Sequence, residues 1–112
     1  MTVDRIAWQR ENAHSHYVGT LSASGDGIRL AGRDPTTGIR IGLRIPVEEI
    51  AGVHASDCPG ERVAGERCVV LDLRRSIPLW LREVGTCTRD PAELAAALQT
   101  LLREGRDGAS AN

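Results

Sequence analysis

The sequence predicts a mainly β domain of the α+β kind, with six or seven short strands in a barrel or sandwich closed by one C-terminal helix. Three observations predict it. Between Tyr17 and Val84 apolar residues recur with a period of two, as on half-buried strands. Clusters of Gly, Pro, Asp and Ser interrupt them at roughly the 8–12-residue spacing of sandwiches and barrels. Only one stretch, Asp90–Arg103, carries a strong helical pattern, so nothing suggests the strand–helix alternation of a parallel sheet.

The elements follow in order. In Met1–His16, Ile6 and Trp8 alternate with Arg5, Ala7 and Gln9, which suits a short strand. Val3, Ile6 and Ala7 would equally mark one helical turn; the strand is preferred. Tyr17–Ala23 is a strand, ended by the turn Ser24-Gly25-Asp26-Gly27. Ile28–Arg33 follows with Ile28 and Leu30 inward, then the hairpin-length connection Asp34–Gly38. Ile39–Ile45 is the clearest strand: Ile39, Ile41, Leu43 and Ile45 share one face, Arg40 and Arg44 the other. Pro46 ends it. Glu49–Ala55 reads as a strand with a bulge near Gly52, and Ser56–Glu66 as the longest loop. Arg67–Leu73 and Ile77–Val84 are strands joined through Arg74-Arg75-Ser76. In the second of them Trp80 and Arg82 share a face.

Asp90 stands at the N-cap, where its carboxylate accepts first-turn N–H groups, and Pro91 at N1 has a helical φ already set. Glu93 completes a capping-box spacing. Leu94, Leu98, Leu101 and Leu102 form one apolar stripe, which the core is expected to absorb. Gly105 suits the position just past the end. The expectation is one domain over residues 1–104, with 1–16 as its N-terminal segment and 105–112 as a disordered tail.

Composition narrows the function. Net charge is -1, so there is no bulk electrostatic case for nucleic acid or an anionic membrane. All 14 basic residues are arginine, which with the Ala and Gly content suggests a GC-rich bacterial coding bias. Cys58, Cys68 and Cys87 are odd in number and lack CxxC spacing, so reduced cytoplasmic thiols are expected rather than a disulfide framework or zinc knuckle. No leader segment and no transmembrane run is expected.

Several stretches resemble a pleckstrin-homology-like domain of the bacterial PH/GRAM type. They are Gly19-x-Leu21, Asp26-Gly27-Ile28-Arg29-Leu30, Ile45-Pro46-x-x-Glu49-Ile50-x-x-Val53, and the capped helix Asp90–Arg103 after the last strand. The resemblance covers Tyr17–Arg103 and implies two nearly orthogonal antiparallel sheets with the helix plugging one open end. The family has seven strands against six counted after residue 16, leaving Arg5–Gln9 to supply the other. Tyr17 stands where phosphoinositide-binding members carry Lys, and Arg29 and Arg33 lack the family's basic spacing. Lipid-headgroup recognition is therefore not carried over residue by residue.

The candidate ligand-binding residues are Arg29, Arg33, Arg40 and Arg44. Paired as a hairpin, they share the face away from the core, and arginine suits bidentate phosphate or carboxylate contacts. Asp26, Asp34, Glu48 and Glu49 are near enough in sequence to neutralise them, which would leave an ordinary solvated face. Trp80 and Arg82 are the candidate interface pair: Trp80 either packs under the N-terminal segment or is exposed as an anchor. His14-x-His16 lacks a third metal ligand. His54 and Cys58 bracket Asp57, but nothing marks an oxyanion hole or an orienting third residue. No catalytic residue, metal site or cofactor is assigned. The expected function is non-enzymatic: a PH-like module acting through protein contacts, with self-association as one form. The alternative is recognition of an anionic ligand or membrane surface by the arginines.

Overall fold

The computed structural model describes residues 1–85 and 88–110, with side chains as far as 105. Its nine strands are β1 (Thr2–Arg10), β2 (Tyr17–Ser24), β3 (Gly27–Arg33), β4 (Arg40–Pro46), β5 (Ile50–Ala55), β6 (Arg62–Val63), β7 (Glu66–Arg67), β8 (Val69–Leu73) and β9 (Leu79–Glu83). A 3₁₀ turn, Val47–Glu49, precedes β5, and the helix α1 is Pro91–Ser110. The fold is mainly β. Seven strands form one curled antiparallel sheet in the order β4-β3-β2-β1-β9-β8-β5, and β6 and β7 form a separate two-stranded ribbon.

β1 explains why the sheet is continuous. It pairs with β2 on one side and β9 on the other, so the N-terminal segment is the middle strand of the seven. The preferred reading of Arg5–Gln9 as strand holds and extends to Thr2–Arg10. Its inward residues Val3, Ile6 and Trp8 are all buried. A register shift between Val3 and Ile6 bends β1, and another between Ile50 and Gly52 bends β5, where the sequence places a bulge. Such bends let one sheet curl around a single core.

That core is built from aliphatic side chains of all seven strands and α1. Asp90 caps the helix as its sequence suggests: its Oδ1 accepts the Ala92 N–H at 2.8 Å. Leu94, Leu98 and Leu102 are buried and Leu101 is half-buried, so the stripe faces the core. Burial of each such leucine contributes about 1.5–3 kcal/mol. The helix backbone continues to Ser110, so Gly105 lies inside it rather than one residue past its end. There it touches the β2–β3 turn at Gly25, so closely that a Cβ on Gly105 would collide with the Gly25 carbonyl. The expected tail over 105–112 includes residues 111 and 112, which lie outside the described residues.

Two strand ends differ from the pattern. Ile39 is 66% exposed and precedes β4, and Ile77 is 40% exposed and precedes β9. Periodicity placed both on inward faces, but the chain is already in its connection there. Among the described residues, no helix is long and apolar enough to cross a membrane.

Candidate functional site

Strands β3 and β4 alternate strictly. Ile28, Leu30 and Ile45 are buried, while Arg29, Ala31, Arg33, Arg40, Gly42 and Arg44 are exposed on the outer face. The register sets Arg29 directly opposite Arg44, Ala31 opposite Gly42 and Arg33 opposite Arg40. All four predicted arginines therefore share one surface. They form two like-charged pairs separated by four residues of strand, about 13 Å, with a floor of Ala31 and Gly42 between.

Like charges directly opposite on adjacent strands are destabilising. Nothing local relieves them: among the described residues, none of the four arginines has an ion pair or side-chain hydrogen bond. Of the nearby acids, Asp34 and Glu49 have other partners, and among the described residues Asp26 and Glu48 form no ion pair with the arginines. Asp34 Oδ1 accepts the Thr36 and Thr37 N–H groups at 2.7 and 3.2 Å, ordering the β3–β4 connection. Glu49 faces Arg75 at 3.6 Å. Asp26 lines a concavity of about 280 Å³ beside the Arg29–Arg44 pair, together with the hydroxyl residues Thr2, Ser22 and Ser24. Two guanidinium groups beside three hydroxyl residues suit carboxylate or phosphate oxygens.

The same outer row continues across the sheet. Arg33 lies opposite Val18, Val18 opposite Ala7, and Ala7 opposite Arg82. Arg82 thus sits on the predicted face, three strands from Arg33. Trp80 does not serve as an exposed anchor: it is 7% exposed and packs with Ala7, Val63, Cys68 and Val70. What covers it is Val63 of the ribbon β6–β7, which starts inside the stretch Ser56–Glu66 that reads as the longest loop and ends at Arg67, one residue beyond it. Its turn is Ala64-Gly65, both at positive φ (52° and 80°), as a two-residue type I′ hairpin requires. The missed signal is that Val70 and Trp80, outward by alternation, are both apolar and so demand a cover.

Cys68, under that ribbon, has its thiol pushed up from 9.0 to about 11, chiefly by burial, with a hydrogen bond from Ser56 opposing. Cys58 is exposed, and both are free thiols; Cys87 lies outside the described residues. His54 Nδ1 lies 3.3 Å from Asp72 Oδ2 on the surface, and the backbone N–H of Cys58 donates to Glu61. His54 is thus oriented by Asp72, not by Cys58. No cluster of three or more His, Cys, Asp and Glu among the described residues is arranged to hold a metal. A second cleft of about 450 Å³ lies between the ribbon and the start of α1, lined by Arg62, Arg67, Arg82 and Arg89. Glu66, Glu83 and Asp90 share that cleft, and Glu83 faces Arg89 at 3.8 Å, so its charges are largely balanced.

No protein-family model, curated protein or solved structure matches the chain.

Proposed function

We propose that the chain is a non-enzymatic, PH-like binding module whose working surface is the outer face of β3 and β4. There Arg29, Arg33, Arg40 and Arg44 hold an anionic partner. Of the two readings open in the sequence, this one gains support, because the burial of Trp80 removes the aromatic anchor from the other. The observation that carries it is the pairing of arginine against arginine, twice, with no ion pair to any of the four among the described residues. Edge strands are often protected from aggregation by charged side chains. That accounts for Arg40 and Arg44 on β4. It does not account for Arg29 and Arg33, because β3 is an interior strand. A bacterial, cytoplasmic setting belongs to the same proposal; the arginine-only basic composition and the free Cys58 and Cys68 thiols support it.

The test uses immobilised poly-glutamate and heparin at low and high salt. The expected outcome is retention at low salt, release at high salt, and no retention of the variant in which all four arginines are glutamine. Absence of binding to every polyanion at low salt would remove the proposal. So would unchanged binding by the folded glutamine variant.

A further inference from the structure

The two edges of the sheet are treated differently. The β5 edge is packed against α1, and Gln99 Nε2 donates to the Val53 carbonyl. Among the described residues, the β4 edge is paired as a strand only with β3. Two flanking hydrogen bonds fix which of its backbone groups are spent. Asp34 N–H donates to the Ile39 carbonyl and Val47 N–H to the Asp26 carbonyl, both at 2.9 Å. An antiparallel ladder alternates bonded and non-bonded pairs. With an unbroken register, Ile41, Leu43 and Ile45 therefore bond to β3. Arg40, Gly42 and Arg44 turn their N–H and C=O groups outward to the open edge.

Gly42 supplies an independent sign. A Cβ built there would meet only the Leu30 carbonyl oxygen, at 3.9 Å, so nothing inside the chain requires a glycine. At Gly19 and Gly32, by contrast, a Cβ would collide with neighbouring backbone. Glycine inside a strand costs stability and often marks the close approach of another backbone.

We infer that the β4 edge accepts an extended acidic segment of a protein partner as an added antiparallel strand. The inference rests on the arginine face being a binding surface, and it names the occupant. Residues of the added strand opposite Arg44 and Arg40 fall on the outer face, and acidic side chains there offset the unpaired charge. The residue opposite Gly42 meets no side chain. The residues between them point inward, past the half-buried Ile41 and Leu43, toward a groove of about 170 Å³ in which Leu43, Ile45, Leu73 and Leu79 are joined by Arg10 and Glu49. The matching segment is acidic–apolar–any–apolar–acidic. A second copy of this chain does not fit: antiparallel pairing of β4 with itself about Gly42 sets Arg40 against Arg44.

The experiment compares three probes on the folded full chain. They are a short synthetic peptide of that pattern, the same residues shifted by one so that the acids face inward, and vesicles rich in phosphatidylserine. Binding is followed by calorimetry, with hydrogen exchange at Gly42. The expected result is that the patterned peptide binds, protects the Gly42 amide, and outcompetes the shifted one by about ten-fold or more. Gly42→Pro removes one edge N–H and keeps all four arginines. It should weaken the peptide about ten-fold, the equivalent of one hydrogen bond, and leave binding of heparin, which has no peptide backbone to pair, intact. An N-methylated peptide, blocked at its ladder amides, gives the same comparison without altering the protein. Equal binding of patterned and shifted peptides, vesicle binding alone, or a dimer forming through β4 would overturn the inference while leaving the arginine surface standing. Failure of peptide, vesicles and poly-glutamate together would remove both.

Discussion

The outer face of the sheet has two halves, and they solve the same problem in opposite ways. Over β9 and β8 the outward residues Trp80 and Val70 are apolar, and they are buried together with Val63 of the two-stranded ribbon. Over β2, β3 and β4, beyond the half-buried Val18, the outward residues Thr20, Ser22, Ala31, Gly42 and four arginines are all exposed. Both halves obey the same two-residue alternation. The covered half gains stability from its outward residues. In the bare half, opposed arginines cost stability. A surface that lowers the stability of its own chain is a better candidate for binding than one that is already packed.

The strongest way to break this contrast is to remove the anchor of the covered half. Trp80→Ala should cost about 3–5 kcal/mol, the range for truncating a buried tryptophan. Denaturant unfolding measures it. A loss under about 1 kcal/mol would mean that the ribbon is a loose flap and that both halves are effectively bare. The Trp80 indole N–H, which is buried and has no hydrogen-bond partner among the described residues, keeps the expected loss toward the lower end.

The contrast also marks where reading the sequence succeeds. Local chemistry was legible: Asp90 and Pro91 start the helix, Gly52 accompanies a bulge, and alternation puts Arg29, Arg33, Arg40 and Arg44 on one face. Periodicity says which way a side chain points, but not whether that direction meets water. Trp80 points outward and is buried, because Val63 of the two-residue strand Arg62–Val63, paired with Glu66–Arg67, packs over it. Two-residue strands are too short to display a period. The same limit hides the central place of β1, since nothing in Thr2–Arg10 encodes that both its edges are paired.

Cys68 reports on the cover. With its thiol raised from 9.0 to about 11, its thiolate population in the folded state is about 100-fold below that of an unshifted thiol at neutral pH. Alkylation at mild pH, mapped by peptide mass, should mark Cys58 and spare Cys68, and Trp80→Ala should make Cys68 reactive. The folded state disfavours the ionised thiol, so this group's contribution to stability is whole below 9.0 and is lost as pH rises through about 11. Equal labelling of Cys58 and Cys68 in the native chain would contradict the closed ribbon.

The smallest expected effect bears most directly on why the bare half exists. Arg29→Glu turns one like-charged pair with Arg44 into an opposite-charged one. On the covered half a charge placed at Val70 would be buried and strongly destabilising; here the reversal should raise stability by about 0.2–1 kcal/mol, seen as a higher denaturation midpoint with an unchanged slope. The same variant should lose affinity for poly-glutamate, because one guanidinium is gone and its partner is neutralised. Stability and binding then move in opposite directions at a single residue, which a merely solvated face does not produce. If Arg29→Glu instead lowers stability, Arg29 supports the fold, and the difference between the two halves is one of covering alone.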